Sequence, residues 1–410
     1  MAETPELAQT AVNTAAPASG PLSATTLRPG DSRRPTVLPR VEWVGEKPSL
    51  SLTGRERFEE LKPLGAGGMG EVVLAKDHDI ERSVALKRIP AQSDVGLVLR
   101  FVEEIRIVGQ LEHPNIVPVH DVGIDAQGRY YFVMKHLRGE TLEAIVARLR
   151  RGDPATHERF PFTVRLQAFL GVLNAVGYAH EQGYIHRDLK PANIMVGPFG
   201  EVTVMDWGLA KRVRGPEAPR ADAPGAIPQP ASATASNVRE VLKTQAGEVM
   251  GTPFYMSPEQ ACGEDLDERS DIYSLSVILH ELLFLDHYLE SQPTVAATLE
   301  GVQNVTPEVF AQPPRPPQPV VPAEWGWFIL KGMEKEPGER FQSIAEMTAA
   351  LQSVFSAHVK VQCFQTLLKR ALQNAERVVD AHPLALVLGT VGMTGLLLAG
   401  LVKSVVVLLH

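Results

Sequence analysis

Gly65-Ala66-Gly67-Gly68-Met69-Gly70-Glu71-Val72 places Gly65, Gly67 and Gly70 where a turn can bring backbone N–H groups close to phosphate oxygens. The same pattern can open a dinucleotide site, but that needs a helix next, and Val72–Leu74 reads as a strand. Fifteen residues after Val72 comes Lys87, in Val84-Ala85-Leu86-Lys87, on a strand that sets an ammonium under the glycine turn. A lone strand lysine is commonly a solvated group. Here the apolar neighbours and the spacing to the glycines point to a phosphate ligand. Glu104, on the helical stretch that follows, is placed to hold that ammonium by an ion pair, with Glu103 as the competing assignment. Farther on come His186-Arg187-Asp188-Leu189-Lys190-Pro191-Ala192-Asn193 and Asp206-Trp207-Gly208. Phosphoryl transfer asks a protein for a phosphate cradle, metal ligands and a group that takes or orients the nucleophile's proton, and these segments offer all three in a workable order.

The elements that must position these groups are legible in outline. From Phe58, short β-like runs broken by glycine, Leu61–Leu64, Glu71–Lys76 and Ser83–Ile89, predict a small antiparallel sheet. Val98, Val102, Ile105 and Val108 recur at helical spacing within Asp94–Leu111, and Pro114 stops that helix. Tyr130–Met134 is another β-like run, and long helical patterns follow at Thr163–Gln182, Asp271–Leu285 and Glu324–Lys335. The fold class is therefore α+β, a β-rich lobe followed by an α-rich lobe.

Composition bounds the rest. The chain has 410 residues, 44% of them hydrophobic and 21% charged, enough to bury an ordinary interior. A net charge of −8 argues against nucleic acid as a partner. Only Cys262 and Cys363 are present, in unrelated contexts, which excludes a disulfide framework and a cysteine-rich metal site. Residues 1–53, rich in Ala, Pro, Thr and Ser, read as a disordered arm without a secretory signal. Residues 214–236 read as a flexible insert. Residues 313–319 read as a stiff connector, or alternatively as a polyproline ligand for an SH3-like partner. Leu384–Val402 is uncharged and, at ~1.5 Å per residue in a helix, reaches across the ~30 Å apolar core of a bilayer, with the apolar run continuing past Lys403 to Leu409. Residues 356–383 then form a juxtamembrane stretch whose Lys369, Arg370 and Arg377 place the body of the chain in the cytoplasm, as a single-pass membrane protein. Little or nothing is expected on the far side.

Taken together, the Gly-rich turn, Val-Ala-x-Lys, His-Arg-Asp-x-x-x-x-Asn, Asp-x-Gly and a final Pro258-Glu259 resemble the signature set of protein kinases, over about residues 58–355. The closest resemblance is to the eukaryotic-like (Hanks-type) serine/threonine kinases of bacteria, some of which carry a transmembrane helix after the kinase. The resemblance implies a bilobal kinase fold, with an N-lobe at 58–134, a hinge at 135–137 and a C-lobe at 138–355. It implies ATP and Mg²⁺ as cofactors and protein Ser/Thr hydroxyls as acceptors. Asp188 would accept or orient the acceptor's proton, Lys190 would contact the transferred phosphate, and Asn193 and Asp206 would hold Mg²⁺, a hard ion suited to oxygen ligands. His186 would support the loop. Leu64, Val72, Ala85, Met134 as gatekeeper, and the hinge residues Lys135 and Leu137 would surround adenine.

Trp207 replaces the usual phenylalanine of Asp-Phe-Gly, which implies a harder inactive swing of that ring. Ser257 replaces the usual alanine before Pro-Glu. Lys190 and Thr252 argue for Ser/Thr acceptors, and Glu259 is expected to pair with Arg340. Arg187 would bind a phosphorylated residue of the activation segment, with Thr244 the preferred autophosphorylation site and Ser232, Thr234 and Ser236 as weaker ones. A kinase homodimer would serve trans-autophosphorylation.

Overall fold

The computed structural model describes residues 36–38, 40–44, 46–51, 56–67, 70–91, 93–213, 253–310, 318 and 320–355. The expected insert at 214–236, Thr244, Thr252, the juxtamembrane stretch 356–383 and the apolar segment Leu384–Val402 lie outside these residues. Among the described residues, no helix is long and apolar enough to cross a membrane.

Part of the N-terminal stretch expected to be disordered is instead ordered. Within the expected arm, β1 (Arg40–Val44) and β2 (Lys47–Ser51) pair antiparallel, with Trp43 opposite Pro48 and Val44 opposite Lys47. Trp43 and Leu50 remain exposed, and the preceding backbone is held by N–H groups of Val37 and Leu38 donating to Asp79 Oδ1.

A five-stranded antiparallel sheet forms the first lobe: β3 (Phe58–Gly67), β4 (Gly70–Asp77), β5 (Arg82–Arg88), β6 (Val119–Ile124) and β7 (Tyr130–Lys135), in the order β3-β4-β5-β7-β6. One face buries Val73, Ala75, Val84, Leu86, Tyr131 and Val133. Register puts Val72 opposite Lys87, Leu74 opposite Ala85, Lys87 opposite Phe132 and Ala85 opposite Met134, so these residues share the other face. Helix α1 (Val95–Gln110) packs beside it, started by Asp94, whose carboxylate accepts the Leu97 N–H at 2.7 Å. Its buried face is Phe101, Glu104, Ile107 and Val108. The apolar series expected to form that face lies partly to its side: Val98 and Ile105 are only half-buried and pack at the edge of the Phe101–Phe132 cluster.

The second lobe is helical. Its members are α2 (Leu142–Arg150), α3 (Pro154–Arg159), α4 (Phe162–Glu181), α5 (Pro258–Cys262), α6 (Glu268–Phe284), α7 (Val295–Asn304), α8 (Ala323–Gly332) and α9 (Ile344–Phe355). Helix α6 is buried on every side from Ser270 to Phe284, which is why its pattern shows no single apolar stripe. Helix α8 stops earlier than its sequence pattern suggests; a Cβ on Gly332 would sit 1.9 Å from Ser276 Oγ, so only glycine allows α8 this close to α6. Short strands β8 (Glu140–Thr141), β10 (Ile194–Val196) and β11 (Val202–Val204) form a small sheet, and β9 (Tyr184–Ile185) pairs with β12 (Lys211–Arg212). Of the proline-rich run, Gln318 is described and buried: it accepts from Arg165 Nη1 at 2.9 Å and donates to the Leu283 carbonyl.

Candidate active site

The glycine-rich edge is the hairpin of β3 and β4, in which Gly67 pairs with Gly70. Gly70 adopts φ +134°, and a Cβ there would meet the Arg88 carbonyl oxygen at 2.1 Å, so any other residue would be strained and would clash. A Cβ on Gly65 would meet nothing within 4 Å, so that strand faces open space into which a ligand can come close to backbone. Leu64 is exposed on the same strand, while Val72, Ala85 and Met134 share the sheet face that bears Lys87. Lys135 ends β7, its N–H donating to the Pro118 carbonyl, and Leu137 lies in the link between the lobes, half-buried against the C-lobe core.

Lys87 Nζ donates to Glu104 Oε1 at 2.6 Å and to Asp206 Oδ1 at 3.2 Å. Of the two candidate carboxylates, Glu104 makes the pair and Glu103 is exposed. Burial works against the Lys87 ammonium, but Glu104 and then Asp206 outweigh it and hold its pKa above the ordinary lysine value. The Asp206 carboxylate, pushed up by burial, is pulled lower still by Lys87 and so stays ionised. Its side chain remains 43% exposed, open to a ligand.

The loop after β9 carries the second group. Lys190 Nζ donates to Asp188 Oδ2 at 2.7 Å, and Asn193 Nδ2 donates to the Asp188 carbonyl at 2.8 Å and to Asp188 Oδ2 at 3.1 Å. With its nitrogen so engaged, Asn193 keeps Oδ1 available. The Met205 N–H donates to the Asn193 carbonyl at 2.9 Å, which ties β10 to β11 and brings Asn193 beside Asp206. Arg187 and Asp206 both take left-handed backbone, φ +70° and +59°, at a cost of order 1–3 kcal/mol each.

What holds the strained backbone at Arg187 is Asp271, on the first turn of α6. Its carboxylate accepts N–H groups of His186 at 2.8 Å and Arg187 at 2.9 Å, and His180 Nε2 lies 2.7 Å away. Burial would raise the Asp271 pKa, but the His180 hydrogen bond and the His186 N–H outweigh it and hold the carboxyl below its usual range. His186 accepts the Asp188 N–H at Nδ1, so its proton sits on Nε2, facing the Met205 carbonyl at 3.2 Å. Its ring lies 4.5 Å from the fully buried Trp207. Both nitrogens are thus engaged in supporting the loop.

Asp271, His180 and Gln260 escaped sequence reasoning. Gln260 Nε2 donates to the Arg187 carbonyl at 2.8 Å and so links α5 to the loop. The available signal was a carboxylate at the head of the apolar-rich run Asp271–Leu285. Glu259 and Arg340 form a buried two-pronged pair, 2.8 Å on each prong, with Ser270 Oγ also donating to Glu259 at 2.7 Å. Ser257 is the N-cap of α5, reciprocated by the Gln260 side chain, and that capping box is what serine contributes at this position.

A twisted five-stranded lobe with a carboxylate-clamped lysine, set against a helical lobe whose loop presents an aspartate, a lysine and an asparagine, defines the catalytic domain of a protein kinase. The protein kinase domain family matches residues 58–355, and the chain belongs to that family. It is 32% identical over 320 residues to the serine/threonine-protein kinase PknD of Protochlamydia amoebophila, covering 76% of this chain and 31% of that protein. It is 34% identical over 304 residues to PknD of Chlamydia trachomatis, covering 72% of this chain and 31% of the relative. A probable serine/threonine-protein kinase PknB of Bifidobacterium longum is 32% identical over 351 residues, covering 82% of this chain and 45% of the relative. The chain thus spans about a third of the length of the first two.

Proposed function

We propose that this chain transfers the γ-phosphoryl group of ATP to serine or threonine hydroxyls of proteins, in signal transduction. The observation that supports this best is the paired geometry of Lys87 with Glu104 and Asp206, and of Asp188 with Lys190 and Asn193. The residues suit Mg²⁺ and a nucleotide: Asn193 Oδ1 and the part-exposed Asp206 carboxylate are hard oxygen donors, and the Gly65 strand leaves room for phosphates. Bound ATP with Mg²⁺ would supply the phosphoryl group and offset the charge of its oxygens. Lys87, fixed by Glu104, orients the phosphates. Asp188 Oδ takes the proton of the attacking hydroxyl, and Lys190, 2.7 Å from it, offsets negative charge beside the transfer. Leu64, Val72, Ala85, Met134, Lys135 and Leu137 are the proposed adenine surroundings. Incubation with labelled ATP, Mg²⁺ and a protein acceptor should place label on phosphoserine and phosphothreonine. Label on phosphotyrosine alone, or none above background, would reject the assignment.

Control is proposed to run through Arg187. Its Nε is buried without a partner among the described residues, and its Nη1 has only a long contact, 3.5 Å, to the Leu209 carbonyl. Burial depresses this guanidinium, and Asp271 and Glu103 offset only part of that effect, so an added phosphate would be a strong partner. Thr244 is the proposed phosphorylated residue and Thr252 the acceptor-selecting one, with autophosphorylation in a homodimer. Full activity with Thr244 unmodified in phosphopeptide mapping would sink the first part. Leu384–Val402 is proposed as the membrane helix on the strength of its uncharged sequence. Extraction of the full chain by alkaline carbonate, without detergent, would count against it.

A further inference from the structure

A cavity of about 580 Å³ lies on the C-lobe away from the phosphate-handling residues. Gly177 and Tyr178 of α4 form one wall, and Ala345, Thr348, Ala349 and Gln352 of α9 form the other. These α9 positions fall at i, i+3, i+4 and i+7, one helix face, and are exposed or half-buried, beside the core face of Ile344, Met347 and Leu351, of which Ile344 also lines the cavity. Small side chains keep the groove open, and His180 lines it with Nδ1 buried and without a partner among the described residues, while its Nε2 bonds Asp271. Glu181 and Glu268 also line it and make it acidic.

The chain itself supplies a fitting occupant. Helix α9 is described to Phe355, and the sequence beyond it places Phe364, Leu367, Leu368, Ala371 and Leu372 at three- and four-residue spacing, with Lys369 and Arg370 between Leu368 and Ala371. Residues 356–383 carry Lys360, Lys369, Arg370 and Arg377 against Glu376 and Asp380, a basic balance opposite an acidic groove. Reach is ample. The eight residues from Phe355 to Cys363 extend up to ~28 Å, whereas Thr348 lies only ~10 Å back along the helix. We propose that the segment around Phe364–Leu372 turns back and docks its apolar series into the α4–α9 groove of the same chain. The linker that leads toward the proposed membrane helix is thereby packed over His180, the residue bonded to the anchor of the catalytic loop. The docking does not depend on the proposed kinase activity.

Cysteine cross-linking on the full chain in mild detergent tests this directly. In a Cys262→Ser background, Thr348→Cys faces the groove and Glu346→Cys faces away from it, and native Cys363 is the partner for each. With diamide as oxidant, a disulfide within one chain is expected to form about tenfold faster from position 348 than from 346, because docking raises the local thiol concentration. Adding Phe364→Asp, Leu367→Asp and Leu368→Asp should bring the rate at 348 down to that at 346. Equal rates at the two positions, cross-links mainly between two chains, or insensitivity to the triple change would each overturn the proposal. Hydrogen exchange gives a second readout free of new cysteines: amides of 345–352 should exchange faster in the triple variant, and unchanged exchange would also overturn it.

Discussion

The two lobes hold their reactive groups in different ways. In the C-lobe, Asp188 belongs to a loop whose backbone is itself bonded: Asp271 takes the N–H groups of His186 and Arg187, and Gln260 donates to the Arg187 carbonyl. Across the cleft, Lys87 is fixed only by side chains, one on α1 and one on the segment after β11. Backbone bonds to a fully buried carboxylate persist as long as the helical lobe is folded. A side-chain bridge between separate elements holds only while those elements keep their relative position. The loop is therefore preorganised by the fold, and the lysine site depends on where α1 sits.

Changing one anchor of each kind separates them. Asp271→Asn removes a charge-assisted bond from the loop backbone, worth ~1.5–3 kcal/mol, so kcat should fall about 10- to 100-fold with the KM for ATP little changed. If KM for ATP rises while kcat holds, the loop is not what Asp271 positions. Glu104→Gln leaves Lys87 with Asp206 and should cost about tenfold in kcat/KM, with melting temperature nearly unchanged because the site is small relative to the core. A large loss of melting temperature would mean that the bridge is a structural strut. The smallest effect on activity is expected at Glu259, whose pair with Arg340 supports α5 from behind.

That pair gives the pH dependence its sign. Burial raises the Glu259 pKa, but Arg340 outweighs it and holds the carboxyl below its ordinary value, as His180 does for Asp271. A lowered folded-state pKa contributes stability above the unfolded value of about 4, and that stability is lost as the pH falls through the folded value. Urea midpoints should thus drop below about pH 4, and Glu259→Gln should flatten that drop while lowering stability at pH 7. A midpoint profile identical to wild type would contradict the buried pair's part in it.

The sequence carries the reactive groups well because they sit in short local runs: the glycine turn, Val-Ala-Leu-Lys, and the stretch from His186 to Asn193. What supports them is less legible. Asp271 is 84 residues from the Arg187 N–H that it accepts, and nothing near it in sequence announces that contact. Helices α2, α7 and α9 bury short, mixed faces such as Ile344, Met347 and Leu351, too brief to stand out from loops by periodicity. In α1 the apolar series Val98, Val102, Ile105 and Val108 lies partly off the buried face, because Glu104, a charged residue, sits within that face. The β1–β2 hairpin was obscured by a composition that elsewhere in residues 1–53 has few large apolar groups.

The central claim is that Asp188 performs the transfer in a site whose nucleotide contacts belong to other residues. Its most direct test is Asp188→Asn, with nucleotide affinity and single-turnover transfer measured on the same protein. The account predicts MgATP binding within a few-fold of wild type and transfer slower by about 10²- to 10⁴-fold, the range for losing a positioned general base. Transfer at the wild-type rate would contradict it.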